Sequence, residues 1–245
     1  MPYLTFRYFS PSLQKHTQAE ILLPDPAKRG PFHVMFLLHG LSDDQTIWMR
    51  RTSIERYVVD LPLIVVMPDG GRGWYADSEE GYRYETALAV ELPTIIEATF
   101  HTVRPWAISG LSMGGYGALK FSIKHTDLFA SAVSHSGALT MAHDLPNRDE
   151  EFNREVARAL GENPVGGKDD LLSLIGTQRP SRTPHLRFDC GTDDFLLEAN
   201  RAFHRHLETL QVPHEYTEHP GGHTWDYWDL HVQDGIQFHL RNLGI

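Results

Sequence analysis

A single cysteine, Cys190, stands among the 245 residues. One thiol excludes an internal disulfide framework and every metal site that needs a cluster of cysteines. It also suits a reducing compartment, so a cytoplasmic location is the expectation. Basic charge is scarce: 22 Lys and Arg face 32 Asp and Glu, a formal net charge of −10. That is the wrong sign for nucleic acid or an anionic membrane surface as the main partner. Long apolar runs are missing too. "HVMFLLHG" and "LPLIVVMP" are far too short to span a bilayer, and "MPYLTFRYFS" lacks the charged-then-apolar build of a signal peptide. There is no internal repeat, no low-complexity tract and no H-E-x-x-H. Of the fifteen histidines, His204 and His206 lie two apart on a predicted helix and diverge, a poor metal pair. Neither a metal nor a cofactor is expected.

What is present is ordinary for a globular chain, with 41% apolar and 22% charged residues. One domain over 1–245 is the expectation. "HVMFLLHG", "LPLIVVMP", "RPWAISG", "FASAVSHSG" and "HLRFDCG" read as buried strands, brief and stopped by Gly or Pro. Helical spacing fills the stretches between. "YETALAVELPTIIEATF" sets Leu88, Leu92, Ile95, Ile96 and Phe100 on one face, with a kink expected at Pro93, and "EANRAFHRHLETL" and "DYWDLHVQDGIQFHL" repeat the pattern. Strands alternating with helices predict an α/β fold, a mainly parallel sheet covered on both faces. "YLTFRYFS" and "TQAEILLP" predict two antiparallel edge strands before it. From about 138 to 184 the chain turns polar. This stretch reads as an insertion of two short helices and loops, either a lid over the carboxyl edge of the sheet or a plain surface excursion.

The stretch "ISGLSMGGYG" places Ser112 between glycines, after a predicted strand and before a predicted helix opening near Tyr116. G-x-S-x-G at such a turn lifts a serine hydroxyl into an exposed, strained position. A hydroxyl is a poor nucleophile at neutral pH, so the motif demands a histidine to take its proton and a carboxylate to orient that histidine. Both occur downstream, in the order serine, acid, histidine. His223 follows a strand and the turn Pro220-Gly221-Gly222, whereas its nearest rival, His219, precedes that turn. The acid is Asp193 or Asp194, adjacent after the strand that ends at Cys190, and the residues alone leave both open. Cys190 itself reads as a packing residue. Two backbone N–H groups complete the chemistry by receiving a developing oxyanion. The Met113 amide follows the nucleophile, and the Leu41 amide lies in the His39-Gly40-Leu41 turn after "VMFLL".

The pieces "LLHGLSDDQTIWMRRTSIERY", "LIVVMPDGGRGWYADS", "ISGLSMGGYGALKFS", "SHSGAL", "CGTDDFLLEANRAF" and "GGHTWDYW" together resemble the esterase D branch of the α/β-hydrolase superfamily. They are most similar to its bacterial tributyrin esterases. The resemblance runs over nearly the whole chain. It implies a cofactor-free carboxylesterase that cleaves small-molecule, short-chain acyl esters, with Ser112 as nucleophile, His223 as base and Leu41 and Met113 at the oxyanion positions. Its Cys-Gly-x-x-Asp-Phe-Leu pattern selects Asp194 over Asp193. The same branch holds S-formylglutathione hydrolases and feruloyl or acetylxylan esterases. Acyl transfer to an alcohol and a catalytically silent binding module are the further alternatives, and a homo-oligomer is compatible with the sequence. Trp48, Trp74 and Tyr75 are candidates for the substrate pocket, with packing as the competing role, while Trp225 and Trp228 are expected to anchor the last helix.

Overall fold

The computed structural model describes residues 1–78, 81–143, 149–177 and 183–245. Eight strands form one sheet: β1 (Tyr3–Ser10), β2 (Lys15–Leu22), β3 (His33–Leu38), β4 (Leu63–Pro68), β5 (Trp106–Leu111), β6 (Phe129–His135), β7 (His185–Gly191) and β8 (His214–His219). Their spatial order is β1-β2-β4-β3-β5-β6-β7-β8. From β4 through β8 every pairing is parallel. All six residues of β4 and all six of β5 are buried, as strands covered on both faces require. The side-chain period of two divides β3 cleanly. Val34, Phe36 and Leu38 enter one apolar cluster with Leu119 and Phe203, while Met35 and Leu37 enter a second with Trp228 and Val232.

One expectation about the strands needs correcting. β2 is antiparallel, as read from the sequence, yet it is not an edge strand, because its second half pairs with β4 (Ala19 opposite Pro68, Leu22 opposite Val65) while β1 covers its other side. Ile21 and Leu22 are fully buried in consequence.

Helices α1 (Ile47–Arg51), α2 (Ile54–Val58) and α9 (Trp225–Leu243) supply the second cluster, and α4 (Leu92–Thr99), α5 (Met113–Lys124) and α8 (Leu197–Thr209) the first. Ahead of α4, the short α3 (Tyr84–Thr86) passes into a π-helical turn, Ala87–Glu91, in which the Leu92 N–H reaches back to the Ala87 carbonyl. The irregularity thus precedes Pro93, whose missing N–H falls where the ladder changes step. Leu88, Leu92 and Ile96 are buried, and Ile95 and Phe100 partly so.

Between β6 and β7 lie two short helices, α6 (Glu150–Leu160) and α7 (Leu171–Gly176); residues 144–148 and 178–182 of the expected insertion fall outside the described residues. Asp149 caps α6 by accepting the Phe152 N–H at 2.8 Å. The segment is fastened to α5, because the fully buried Lys120 ammonium lies 2.8 Å from Asp169 and 3.3 Å from Glu85 and the Tyr116 hydroxyl donates to the Asp169 carbonyl. Among the described residues no helix is long and apolar enough to cross a membrane.

On α9, His239 is fully buried against the hydroxyls of Ser109, at 2.7 Å, and Ser131. Burial, with a smaller effect from His135, lowers its pKa to about 3. The unfolded imidazole takes a proton near its ordinary pKa of about 6.5 that the folded one refuses, so the stability is whole above that pH and falls with acidification toward 3. The loss is about 1.4 kcal/mol per pH unit for one proton. Denaturant titrations between about pH 6 and about pH 4.5 should show a shallower decline for His239→Gln than for wild type, by close to one proton. Equal declines would remove His239 as the acid-sensitive group.

Candidate active site

Ser112 joins the end of β5 to the start of α5 with φ 53° and ψ −116°, outside the regions that a non-glycine residue readily occupies. Neighbouring contacts hold it there. Its N–H donates to the His135 carbonyl at 3.0 Å, and its own carbonyl accepts from the amides of Tyr116 at 3.1 Å and Ala138 at 3.2 Å. The turn is tight enough that a Cβ at Gly110 would lie 2.2 Å from the Gly114 carbonyl oxygen, so no larger residue fits. α5 begins at Met113, three residues before the helix start expected at Tyr116. As the first helical residue, Met113 has an amide with no acceptor inside the helix.

The parallel pair β7 and β8 delivers the other two groups. Past the strand ends the two loops are stitched together: the Thr192 N–H donates to the His219 carbonyl and the Asp193 N–H to the Gly221 carbonyl, each at 2.8 Å. A Cβ on Gly191 would come within 2.3 Å of the Gly221 oxygen, so the close approach requires glycine. The turn sends Asp193 to solvent and Asp194 inward. Both Asp194 carboxylate oxygens face Nδ1 of His223, Oδ2 at 2.9 Å and Oδ1 at 3.1 Å, and Oδ1 also accepts the Leu196 N–H at 2.8 Å. With Nδ1 donating to the carboxylate, Nε2 is the nitrogen left to accept a proton. His219 stacks on His231 instead.

Ser112 and His223 open into the same cavity of about 600 Å³. Gly40, Leu41 and Ser42, from the loop after β3, form its wall beside Ser112. Trp74, a candidate for the substrate pocket, lines it. Trp48 and Tyr75 do not, because both are buried, Trp48 in the second apolar cluster with its indole N–H donating to the Leu38 carbonyl at the end of β3 at 3.1 Å, and Tyr75 in the first with its hydroxyl donating to the His39 carbonyl at 2.9 Å. Large aromatic side chains with one polar group settle where that group finds a partner, and here the partners are the backbone carbonyls of Leu38 and His39. His39 adds a further brace by accepting the Gly70 N–H at 2.8 Å.

Trp225 and Trp228 anchor α9 and also line the cavity, a role beyond that expected of them. Trp228 meets the His223 ring edge-on at 4.9 Å between centroids and donates its indole N–H to the Ser136 hydroxyl at 3.2 Å. Phe152 and Phe195, not singled out from the sequence, complete the apolar wall. Phe195 lies 4.6 Å from the His223 ring, and Phe152 packs edge-on to Trp74. The signal for Trp225 and Trp228 was their spacing: three apart on the turn that follows His223, they share one helix face. Two charged groups sit at the rim. Arg72 pairs with Glu155 of α6, and burial pushes the Asp43 carboxyl above its usual range.

The model of the family described as "Putative esterase" matches residues 10–238. The chain belongs to this esterase family. Esterase Rv1288 of Mycobacterium tuberculosis is 31% identical over 279 residues, an alignment covering 98% of this chain and 60% of that relative. The chain thus spans about 60% of the length of that relative. An acetyl esterase of Caldicellulosiruptor saccharolyticus is 26% identical over 268 residues, covering 97% and 98% of the two chains. Among solved structures, FphF of Staphylococcus aureus, a fluorophosphonate-binding serine hydrolase, superposes with a TM-score of 0.88 at 30% identity over 98% of each chain. The mostly parallel eight-stranded sheet with helices on both faces is the α/β-hydrolase fold of these esterases.

Proposed function

We propose that this esterase-family chain is a serine carboxylesterase of the tributyrin-esterase type, hydrolysing short-chain acyl esters through an acyl-enzyme. The observation that supports it most is the bond from His223 Nδ1 to the buried Asp194 carboxylate, beside a cavity that the strained Ser112 also enters. Ser112 Oγ attacks the ester carbonyl as His223 Nε2 takes its proton, and His223 then returns the proton to the leaving alcohol. Water activated by the same nitrogen attacks the acyl-serine and releases the acid. Asp194 holds the imidazole in the required tautomer and stabilises it when charged. The amides of Leu41 and Met113 receive the carbonyl oxygen as it becomes negative, and fixed dipoles there need no reorganisation during reaction. The acetyl esterase relative and the fluorophosphonate-binding neighbour are in keeping with this reading.

The test is kcat/KM for p-nitrophenyl esters of increasing acyl length, with an S-acyl thioester of glutathione alongside. A maximum at acetyl to butyryl esters, declining for longer chains, is expected, because Trp74, Phe152 and Leu196 bound the cavity with bulky apolar groups. A maximum at long acyl chains, or turnover of the thioester alone, would overturn the short-chain carboxylester assignment.

A further inference from the structure

Away from the cavity, a second group of side chains converges on a common point. His219 ends β8, while His231 and Asp234 stand about one turn apart on α9; each offers a ligand atom, and these atoms all lie within 4.8 Å of one another. Among the described residues no other group of three histidine, cysteine or carboxylate side chains does so. Elsewhere, His206 meets the Leu172 carbonyl at 3.0 Å, and His204 Nδ1 lies 2.7 Å from His214 Nε2.

The two imidazoles of the group stack face to face, 4.2 Å between centroids and 17° between planes. Their other partners are weakly held. His231 Nδ1 lies 3.2 Å from an Asp234 oxygen, and His219 Nε2 lies 3.2 Å from the Thr217 hydroxyl.

We propose that His219, His231 and Asp234 form a binding site for a divalent cation of the zinc class, linking the end of β8 to α9. Two imidazole nitrogens and one carboxylate oxygen suit Zn²⁺, Co²⁺ or Ni²⁺, whereas Mg²⁺ and Ca²⁺ prefer all-oxygen sites. Bond lengths of 2.0–2.1 Å in a tetrahedral site set ligand atoms about 3.3 Å apart; His231 Nδ1 and the Asp234 oxygen already have that spacing at 3.2 Å, so His219 must close in and the stacked rings must tilt until both lone pairs point at the ion. The Asp234 side chain is 52% exposed and has room to swing. The cation would clasp both ends of the loop that bears His223, since His219 precedes that loop and α9 follows it. Binding only to the folded chain raises its stability by mass action.

Equilibrium dialysis and thermal unfolding of the full chain with Zn²⁺, and with Mg²⁺ as comparison, test the site. One equivalent of Zn²⁺ should bind and raise Tm, and His219→Gln, His231→Gln and Asp234→Asn should each weaken that binding tenfold or more. Asp234→Asn changes an exposed side chain, so it decides the matter even where His231→Gln fails to fold. Ester hydrolysis in EDTA should be the same for Asp234→Asn and wild type. Absence of saturable Zn²⁺ binding would overturn the proposal, as would binding unchanged in His219→Gln and Asp234→Asn, which would place the ion elsewhere.

Discussion

Ser112→Ala should lower kcat for an acetyl ester by on the order of a million-fold, the size seen when the nucleophile of a serine triad is removed, because the acyl-enzyme of the proposed mechanism forms on its Oγ. The fold should survive. Alanine at φ 53° is about as strained as serine, and the bonds that hold the turn run through the backbone N–H and carbonyl, which the substitution keeps. A stable variant with unchanged Tm, no turnover and no labelling by a fluorophosphonate is the expected set of results. Turnover within tenfold of wild type in that variant would end the assignment of Ser112.

Asp194→Asn should cost about 10⁴-fold in kcat, as losing the carboxylate does in other serine triads, while Asp193→Asn should stay within about twofold of wild type. The two residues are neighbours with the same charge, so bulk electrostatics cannot separate them. Geometry can. Asparagine at 194 can still accept the Leu196 N–H that Asp194 accepts at 2.8 Å, which preserves the turn, but its amide no longer stabilises the imidazolium or fixes the tautomer. Circular dichroism on both variants checks the fold, and kcat/KM on a p-nitrophenyl acetate series reads the effect. A large loss in Asp193→Asn with a small one in Asp194→Asn would exchange their roles.

The alternation of strands and helices was legible because buried parallel strands are short apolar runs with hard stops, and β3, β4 and β5 show that in "HVMFLL", "LIVVMP" and "WAISGL". The turn at Ser112 was legible for a related reason, since only glycine tolerates the contact that Gly110 makes with Gly114. Other features depend on where distant segments meet. β2 looked like an edge strand because its second partner, β4, is more than forty residues away along the chain. Asp193 and Asp194 are equivalent until the bond from Asp193 N–H to Gly221 sets which side chain turns inward. Trp48 and Tyr75 lie close in sequence to the expected loops, yet the backbone carbonyls of Leu38 and His39 draw them into the two buried clusters, whereas Phe152 comes from a helix that no local pattern ties to the cavity. Fifteen histidines likewise include one, His239, whose complete burial has no local signature.

The stitching of the loops after β7 and β8 has an evolutionary corollary. Asp194 and His223 hang from one hydrogen-bonded unit, and Ser112 hangs from the β5–β6 pair, whereas Phe152 and the Arg72–Glu155 contact at the rim involve α6, which follows β6 in a separate excursion. Changes of length or side chain in that excursion would reshape the cavity without disturbing Ser112, Asp194 and His223. Descendants of such a chain are therefore free to diverge in diet while inheriting their chemistry whole.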